Sequence, residues 1–586
     1  MKDYRFLELR SERFPNADSV TAERINLSSI CELQKGTEYF FSDIHGESDA
    51  FLYQLKTACG VIKNKIDYLF SDTMDEPNRL LLGELIYSTE RVLKLQHMVG
   101  IDDEWYSNAI KNLIKVLKSV NSKYTRSRVK KLMPKNYAYV IDELLHADTE
   151  ESREDYYQAV VNSIIITGIA DDFITSICNL IQRCAVKKLY IMGDICDRGP
   201  HPDIVIDELI RFKEADSQWG NHDIHWMGAA CGNECCVASV IRMAMSYNNF
   251  DLIEDGYGIN LRPLSSFASE VYRDDKCEIF YPHLLDDNLY DNIDADLVAK
   301  MHKAIAVIGF KLEGQLIMQH PEYQMDSRNL LKNVNFEDGT VFSGGKNYKM
   351  KDMFFPTIDP KDPLKLTERE KELVHTLTRS FTHSPQLNRH IRFLYNNGFM
   401  YTISNGNLLY HGCIPMERDG SFKAVSINGQ SLHCKELLDE IDTIVRNAYY
   451  LPEDHPDKER NSDFMWYLWC SNNSPLFGKS RMATFERYFI DDKETHTELS
   501  NPYYDFSDDR EACEHILRSF GLDPAVSRII NGHVPVKKIK GESPVKAEGL
   551  LYVIDGGISK AYQETTGMGG YTLLFNSHYI ALAEHK

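Results

Sequence analysis

The sequence contains no apolar run that approaches the roughly 18 residues a membrane-spanning helix requires. It also shows no secretory signal at its start, because the first residues, MKDYRFLELRSERFPNAD, are too highly charged for a signal peptide. Both absences argue against a membrane partner and against secretion. We therefore expect a cytoplasmic protein.

Positive charge is in deficit. Lysine and arginine number 66 against 87 aspartates and glutamates, which gives a net charge of −21. Proteins that bind nucleic acid or anionic membranes usually have the opposite balance, so we expect no nucleic-acid partner. An anionic substrate would need a locally positive site, and bound metal ions would provide that charge.

The 13 cysteines lack both an even count and a Cys-x-x-Cys pair of the zinc type. This usage favours free thiols in a reducing cytosol. Internal repeats and low-complexity tracts are also missing. The chain has 586 residues, far more than one core needs, so we expect several domains or one domain with large insertions.

Short apolar runs that end in polar clusters are typical of buried strands leading into functional loops. Five such runs are TEYFFSDIHGE, KKLYIMGDICDRG, DSQWGNHD, RIINGHVP and GLLYVIDGGIS. Two further segments predict hairpins. The first, GFMYTISNGNLLYHGCIP, turns at Asn405-Gly406, and the second, AIAVIGFKLEGQLIMQH, turns near Glu313-Gly314.

Long stretches between these runs have helical spacing of apolar residues. They are residues 76–98, much of 104–183, 224–248 and 283–304. Residues 340–366 are rich in proline and lysine and predict a surface loop before a helix that begins near Thr367.

This alternation predicts an α/β fold in which helical insertions interrupt the core. The expected division is the start of the core at 1–55, a helical insertion at 56–183, core motifs at 184–225, a mixed and mainly helical insertion at 226–395, and the remainder of the core with substrate-binding segments at 396–586.

Six loop residues offer metal ligands, each at the carboxyl end of a predicted strand, where open α/β sheets bind ligands. Oxygen and imidazole ligands together suit Mn, Fe, Zn or Co. Asp194 could bridge two ions about 3.5–4 Å apart. The predicted ligands are Asp43, His45, Asp194, Asn221, His411 and His533.

Two divalent ions with only two aspartate ligands would leave a net charge of about +2, which suits a phosphate dianion. The expected reaction is hydrolysis by a hydroxide that the two ions generate near neutral pH. We expect His222 to be the general acid, Asp197 to orient it and keep it protonated, and Arg198 to bind phosphate oxygens.

The set Asp-x-His, Gly-Asp-x-x-Asp-Arg-Gly, Gly-Asn-His-Asp, His-Gly and Gly-His resembles the calcineurin-like metallophosphoesterases. The segments NSPLFGKSRMATFERYFI (473–490), NGHVPVK (531–537) and IDGGISKAYQETTGMGGYTLLFNS (554–577) are similar to class III fructose-1,6-bisphosphatases. The resemblance implies a β-sandwich core flanked by helices. It also implies hydrolysis of D-fructose 1,6-bisphosphate to fructose 6-phosphate in gluconeogenesis, with manganese held by the six ligands above.

The chain departs from these families in two places. Many metallophosphoesterases have Gly-His-x-His, but here Val-Pro follows His533, so we expect one ion to keep an open, water-filled position. Class III members continue beyond the segment at which this chain ends, ALAEHK, so any function of that tail, in assembly or in regulation, is left open for this chain.

A substrate with two phosphates needs a second cationic pocket. The candidates for it are Lys479, Arg481, Arg487 and Lys560, although any of them could equally be a solvated surface residue. Cys236 and Arg242 have the Cys-x5-Arg spacing of thiol phosphatases, but the segment between them has no glycine and predicts a buried helix face.

Two alternative functions remain open at this stage. The chain could be another dinuclear-metal phosphatase, acting on phosphoproteins or on dinucleotide polyphosphates. It could also be an inactive scaffold on the same fold, although a scaffold has no reason to keep two unpaired carboxylates among four polar ligands. A homo-oligomeric assembly is neither indicated nor excluded.

Overall fold

The computed structural model describes residues 2–146, 151–283, 294–560, 563, 566–567 and 570–585. The chain divides into two compact units. The smaller contains residues 1–39, 53–188 and 574–581, and the larger contains residues 40–52, 189–573 and 582–586. The smaller unit overlaps the insertion predicted at 56–183, and the finer division of the chain stays a prediction.

Helices make up most of the first 185 residues. They are α1 (Lys2–Arg13), α2 (Ala17–Cys31), α3 (Ser48–Thr57), α4 (Val61–Phe70), α5 (Glu76–Tyr87), α6 (Thr89–Val99), α7 (Asp103–Asn121), α8 (Arg126–Leu132), α9 (Ala138–His146), α10 (Glu151–Ile166) and α11 (Ala170–Ala185). Helices α7 and α11 pack against each other through amphipathic faces. On α7, for example, Ile110, Leu113, Leu117 and Val120 are fully buried at helical spacing.

Twelve further helices follow among the described residues. They are α12 (Pro202–Phe212), α13 (Asn221–Ala230), α14 (Glu234–Tyr247), α15 (Arg262–Val271), α16 (Ala295–Gln319), α17 (Glu368–His383), α18 (Pro385–Asn397), α19 (Cys434–Tyr450), α20 (Lys458–Cys470), α21 (Phe485–Phe489), α22 (Tyr503–Phe506) and α23 (Arg510–Ser519). Helix α13 starts directly at a predicted site residue, and α14 packs against both α13 and α16.

The strands are short. They are β1 (Glu38–Phe41), β2 (Lys188–Ile191), β3 (Ala215–Gln218), β4 (Val334–Asn335), β5 (Thr340–Ser343), β6 (Lys346–Lys349), β7 (Gly398–Phe399), β8 (Tyr401–Ser404), β9 (Asn407–Tyr410), β10 (Val425–Ile427), β11 (Gln430–Leu432), β12 (Ile529–Asn531), β13 (Val545–Lys546), β14 (Leu551–Val553), β15 (Tyr571–Phe575) and β16 (Ile580–Glu584). The protein is therefore a mixed α/β structure, as the sequence predicts.

Two sheets carry the predicted site loops. One has six strands in the order β16-β15-β1-β2-β3-β7, and the other has five in the order β13-β14-β12-β9-β8. Side chains of the two sheets meet where the Tyr190 hydroxyl lies 2.5 Å from Ser404 Oγ, and where Gln218 Nε2 donates to Thr402 Oγ1 at 2.9 Å. This contact between two sheets agrees with the predicted sandwich core.

Parallel pairing brings the site loops to common edges. Strands β2 and β3 run parallel with Ile191 opposite Ser217, so the loops that follow them leave the sheet side by side. In the second sheet, β12 runs parallel to both β9 and β14. The register explains why residues far apart in sequence converge at one place.

The hairpin predicted to turn near Glu313-Gly314 is wrong. The segment lies inside α16, a continuous helix of 25 residues that is buried along most of its length. An apolar run of this kind does not distinguish a strand from a buried helix by its periodicity. Gly314 is needed for packing rather than for a turn, because a Cβ there would lie 2.5 Å from Leu364.

Other local predictions had mixed outcomes. The hairpin at Asn405-Gly406 is confirmed, since β8 and β9 pair antiparallel with Ser404 opposite Asn407. The helix start near Thr367 is also confirmed, because the Thr367 side chain accepts from the Glu370 backbone N–H and caps α17. The loop predicted at 340–366 is wrong at its start, where β5 and β6 form a hairpin. The helix predicted at 283–304 begins at Ala295, and residues 284–293 lie outside the described part.

No single helix among the described residues is long and apolar enough to cross a membrane. The helices Glu154–Ile166 and Ala170–Ala185, which are bent by 117° to each other, are together long and apolar enough to span a membrane, judged by length and composition alone.

The buried ion pair between α16 and α17 gives a stability prediction. Lys311 Nζ lies 2.8 Å from Glu370 Oε2, and both side chains are at most 1% exposed. Lys311→Met should lower the free energy of unfolding by about 3 kcal/mol, because it leaves a buried carboxylate without its cation. Lys371→Met is the matched control, since Lys371 pairs with Glu368 on the exposed side of α17. Urea denaturation should show a lower midpoint for Lys311→Met alone, and equal shifts would contradict the prediction.

Candidate active site

Asp194 lies at the centre of the predicted ligands. It follows β2, is 2% exposed, and has a left-handed φ of 53°. Its Oδ1 accepts a hydrogen bond from the His222 backbone N–H at 3.0 Å. Its Oδ2 lies 3.9 Å from His45 Nε2 and 3.5 Å from His411 Nε2. One carboxylate therefore faces imidazoles from two different loops.

Two groups of potential ligand atoms share Asp194. One contains His45, Asp194 and His222, the other contains Asp194, His411 and His533, and within each group the atoms lie within 4.8 Å of one another. Sharing of one carboxylate by two clusters is the arrangement that a bridging ligand requires. A third group of this kind joins Asp197 and His225 to His222.

Each histidine ligand candidate is oriented by a backbone carbonyl. His45 Nδ1 lies 3.0 Å from Cys196 O, His411 Nδ1 lies 2.5 Å from Met192 O, and His533 Nε2 lies 2.8 Å from Phe477 O. Such bonds fix the ring, and an ion could bind the opposite nitrogen in place of its present contact, which is with Arg198 for His45 and between His411 and His533 for the other two.

The buried amide oxygen of Asn221 indicates whether these residues fit a metal ion. It is 2% exposed, and its Oδ1 has no hydrogen-bond partner among the described residues. A buried carbonyl oxygen without a partner is costly, and coordination of a cation would remove that cost. The donors at the site, which are carboxylate, amide oxygen and imidazole, therefore fit divalent ions of the Mn, Fe, Zn or Co type.

The charges at the site also favour a cation. Burial raises the pKa of Asp43 to about 6, and nearby Asp194 adds to this effect against the opposing charge of His411. Burial alone would lower the pKa of His411, but Asp194 and Asp43 outweigh it and raise the pKa to about 10. Asp43 Oδ2 also accepts the His533 backbone N–H at 2.9 Å, which ties the two loops together.

The backbone is strained at the predicted site residues. Six non-glycine residues there have a positive φ, a conformation that costs free energy and that clusters at functional sites. Gly220 allows the loops to approach closely, because a Cβ there would lie 2.0 Å from Asp194 Oδ1. The six residues are Asp43, His45, Asp194, Asp197, Arg198 and His533.

Asp223, the last residue of Gly-Asn-His-Asp, has a role that the sequence analysis missed. Its fully buried carboxylate accepts backbone N–H groups of Gly220 at 3.0 Å, Asp194 at 2.9 Å, Ile195 at 2.9 Å and Cys196 at 3.2 Å. It thereby joins the loop after β2 to the start of α13. Its place at the third position of a helix was the available signal, since acidic residues cap helix N-termini there.

His222 and Asp197 form the predicted pair. His222 Nδ1 lies 2.8 Å from Asp197 Oδ2, so the orientation expected from sequence is present. The expectation that Asp197 keeps His222 protonated is not supported, because burial, with help from Arg198, lowers the pKa of His222 to about 3. In the chain alone, His222 is therefore a neutral imidazole.

Arg198 lies between two imidazoles. Its Nη1 donates to His45 Nε2 at 3.0 Å and its Nη2 donates to His222 Nε2 at 3.2 Å. The planar fork is thus held at the nitrogens that face the ligand cluster, where it could also bind two phosphate oxygens.

A cavity of about 790 Å³ opens over this cluster. Lys479 and Arg487, which the sequence proposed for a second phosphate, line the same cavity as His45, Asp194 and His222. Glu498 holds these two cations together, with carboxylate oxygens 3.0 Å from Lys479 Nζ and 3.2 Å from Arg487 Nη2. Lining residues that the sequence analysis missed are Arg242, Lys537, Glu498, Trp469 and Tyr488.

The other two basic candidates do not line this cavity. The Arg481 guanidinium donates to the Thr497 carbonyl at 3.1 Å and also to the Thr495 carbonyl. Lys560 is exposed, and its backbone N–H donates to Glu47 at 3.0 Å. Cys236 is fully buried within α14, as predicted, and Arg242 lines the cavity from the same helix.

Known proteins resemble the chain along its whole length. A sequence model described as Firmicute fructose-1,6-bisphosphatase matches residues 5–586. A protein of Alkaliphilus metalliredigens named fructose-1,6-bisphosphatase class 3 is 50% identical over 100% of this chain and 88% of its own length. Proteins with the same name from Clostridium novyi and Clostridium acetobutylicum are each 49% identical, over 100% and 99% of this chain and 88% of their own lengths.

No solved structure is significantly similar to the chain. The family match and the full-length relatives together cover both units, including every residue of the Asp194 cluster. The chain therefore belongs to the Firmicute fructose-1,6-bisphosphatase family.

Proposed function

We propose that the protein hydrolyses the 1-phosphate of D-fructose 1,6-bisphosphate, releasing fructose 6-phosphate and phosphate, and that it acts in gluconeogenesis. The observation that carries this proposal is a single cavity lined both by the Asp194 cluster and by the cations Lys479 and Arg487. A substrate with one phosphate would leave the cations Lys479 and Arg487 without a phosphate to bind. The names of the full-length relatives support the same substrate.

The residues present fit two divalent ions, and we propose Mn²⁺. Asp43, His45 and Asp194 would hold one ion, and Asp194 with Asn221, His411 and His533 would hold the other. When bound, such ions lower the pKa of water and offset the charge of phosphoryl oxygens. Asp194 would be shared, which agrees with the approach of its Oδ2 to both His45 and His411.

His222 is positioned to pass a proton to the leaving sugar oxygen. Asp197 holds its Nδ1, so Nε2 is the atom that would carry the transferred proton. A phosphate dianion in the cavity would bring negative charge near His222 and raise its pKa from the low value of the chain alone. Bound substrate would thus favour protonation of His222.

Arg198 would change partners when substrate binds. In the chain alone its guanidinium hydrogen-bonds to His45 Nε2 and His222 Nε2. If His45 bound a metal ion, Nη1 of the Arg198 guanidinium would lose its partner. If His222 carried the transferred proton on Nε2, Nη2 would have to move away from it. The freed donors would then bind phosphoryl oxygens.

The second phosphate would bind at the wall formed by Lys479, Arg487, Arg242 and Lys537. Glu498 keeps Lys479 and Arg487 at hydrogen-bonding distance from one carboxylate, so they are placed before substrate arrives. Arg242 is held in a similar way, with Nη1 donating to the Tyr488 hydroxyl at 3.3 Å.

We also propose a cytoplasmic location. All 13 cysteines are free thiols, including the exposed Cys31, which agrees with a reducing compartment.

The substrate proposal is tested by phosphate release from fructose 1,6-bisphosphate, fructose 6-phosphate and a phosphopeptide, each with and without Mn²⁺ after chelation. Rapid Mn²⁺-dependent release from the bisphosphate alone would support it. Release mainly from the peptide would instead favour another dinuclear phosphatase, and no release from any ester would favour an inactive scaffold.

Asp194→Ala should abolish activity and Mn²⁺ binding together, because it removes the carboxylate shared by both clusters. Metal content per chain, measured after dialysis, should fall together with the rate, and the rise in melting temperature on adding Mn²⁺ should disappear. Asp439→Ala, on the exposed side of α19, is the control. Normal Mn²⁺ content in Asp194→Ala would contradict the bridging role.

His222→Asn should keep the bound Mn²⁺ but reduce the rate on fructose 1,6-bisphosphate by about 10²–10⁴-fold, the range typical of a lost general acid. The rate on p-nitrophenyl phosphate should fall much less, since its leaving group departs without a proton. Steady-state kinetics on both esters checks this. An equal loss on both esters would show that His222 acts in some other step.

Lys479→Gln should raise KM for fructose 1,6-bisphosphate by roughly tenfold or more, while the rate on p-nitrophenyl phosphate stays close to that of the wild type. The reason is that a charge-assisted hydrogen bond to the second phosphate is lost. Arg481→Gln is the informative comparison, because the Arg481 side chain bonds to backbone carbonyls outside the cavity. The same KM increase in both variants would contradict the assignment of the wall.

A further inference from the structure

Asp197 is held at both carboxylate oxygens. The indole Nε1 of Trp226 donates to Oδ1 at 2.7 Å, and Oδ2 lies 2.8 Å from His222 Nδ1. Asp197 is 3% exposed and Trp226 is 1% exposed, so water does not replace either bond. The orientation of His222 therefore depends also on the hydrogen bond from Trp226 to the other oxygen of Asp197.

A second imidazole competes for the same carboxylate. His225 Nδ1 lies 3.5 Å from Asp197 Oδ2, the oxygen that already faces His222. His225 is fully buried, and neither of its ring nitrogens has a hydrogen-bond partner among the described residues. Its ring packs 4.2 Å from the Trp469 ring, which keeps it beside Asp197. A buried imidazole without partners would gain a hydrogen bond if the carboxylate turned toward it.

One helix sets up this competition. His222, His225 and Trp226 are at positions i, i+3 and i+4 of α13, so all three project from the same face toward Asp197. The terminal torsion of an aspartate is broad and does not by itself select one orientation. The bond from Trp226 to Oδ1 is what fixes the plane of the carboxylate, and with it the direction of Oδ2.

We propose that Trp226 is a positioning residue that directs the Asp197 carboxylate to His222 rather than to His225. This inference rests on the proposed function, because it assigns Trp226 an effect on proton donation by His222. Trp226 does not line the cavity and acts only through Asp197.

The test uses Trp226→Phe, which removes the indole donor and keeps an aromatic ring beside Tyr257 and Phe381. Trp466→Phe is the matched control, since it shortens another fully buried tryptophan whose Nε1 also donates to a carboxylate, that of Glu313 at 3.4 Å. Trp466 lies outside the cavity lining. The holoenzyme is used for each variant, with bound Mn²⁺ measured beside the rates.

Trp226→Phe should lower kcat on fructose 1,6-bisphosphate by roughly 10- to 100-fold, the usual cost of losing an outer hydrogen bond to a site residue. KM, Mn²⁺ content and the rate on p-nitrophenyl phosphate should change less than twofold. Trp466→Phe should change both rates by the same small factor. A Trp226→Phe enzyme that loses equal activity on both esters, or none on either, would overturn the proposal.

Two double variants separate positioning from general damage. Trp226→Phe should have no further effect in an Asp197→Asn background, because the group through which it acts is already altered. His225→Phe should restore part of the rate to Trp226→Phe, because it removes the competing imidazole. Additive losses in the first case, or no recovery in the second, would count against competition between His222 and His225.

A measurement on folded wild-type protein covers the case in which Trp226→Phe does not fold. The indole N–H proton of Trp226, assigned by NMR in wild-type protein loaded with diamagnetic Zn²⁺ in place of Mn²⁺, should lie downfield and should move upfield in Asp197→Asn. An unchanged resonance would overturn the proposal. If the wild type hydrolyses p-nitrophenyl phosphate but not fructose 1,6-bisphosphate, the proposed substrate is wrong, while the NMR result still decides the role of Trp226.

Discussion

The rest of the site depends on the convergence of two buried carboxylates, Asp43 and Asp194, which are 3% and 2% exposed. Burial, and to a smaller extent the nearby charge of Asp194, raise the pKa of Asp43 to about 6 against the opposing charge of His411, so a second anion beside Asp194 is disfavoured in the chain alone. Among the remaining predicted ligands, the pKa of His411 is raised to about 10 beside these carboxylates, and Asn221 leaves its amide oxygen without a partner among the described residues. Bound cations would offset the carboxylate charge and coordinate the Asn221 oxygen, so their binding would stabilise the arrangement as well as supply its reactivity.

Such an arrangement has to be imposed by the surrounding structure. The loops that carry Asp43, Asp194 and His533 adopt left-handed backbone conformations at these residues. Strained residues persist only where their neighbours determine the conformation. The Asp223 carboxylate provides part of that constraint, because it binds four backbone N–H groups of the loops after β2 and β3. The last residue of the Gly-Asn-His-Asp motif is thus structural, although its neighbour His222 is the candidate general acid.

The sequence predicted the parts of the structure whose signals are local. Strand ends, the turn at Asn405-Gly406 and the cap at Thr367 follow from short patterns, and motif spacing selected ligand candidates that lie together around Asp194. Helix α16 was misread because a helix that is apolar on most sides has no periodicity to separate it from a strand. The basic wall was only half predicted. Arg242 reaches the cavity from a helix that begins 13 residues after Asn221. No local sequence pattern separates an arginine that lines the cavity, such as Arg242, from one that does not, such as Arg481.

Helix α13, which has ten residues, contains many of the residues that hold the candidate site in place. Its first turn contains the ligand candidate Asn221, the acid candidate His222 and the loop anchor Asp223, and its second contains His225 and Trp226. Since Asp194 accepts the His222 backbone N–H and Asp197 accepts the Trp226 indole, the helix is held to the loop after β2 at both turns. A small rotation of α13 would therefore move the candidate metal ligand Asn221 and the candidate general acid His222 together. Substitutions that change the packing of this helix should consequently affect catalysis before they affect substrate affinity, because the basic wall is built from other elements.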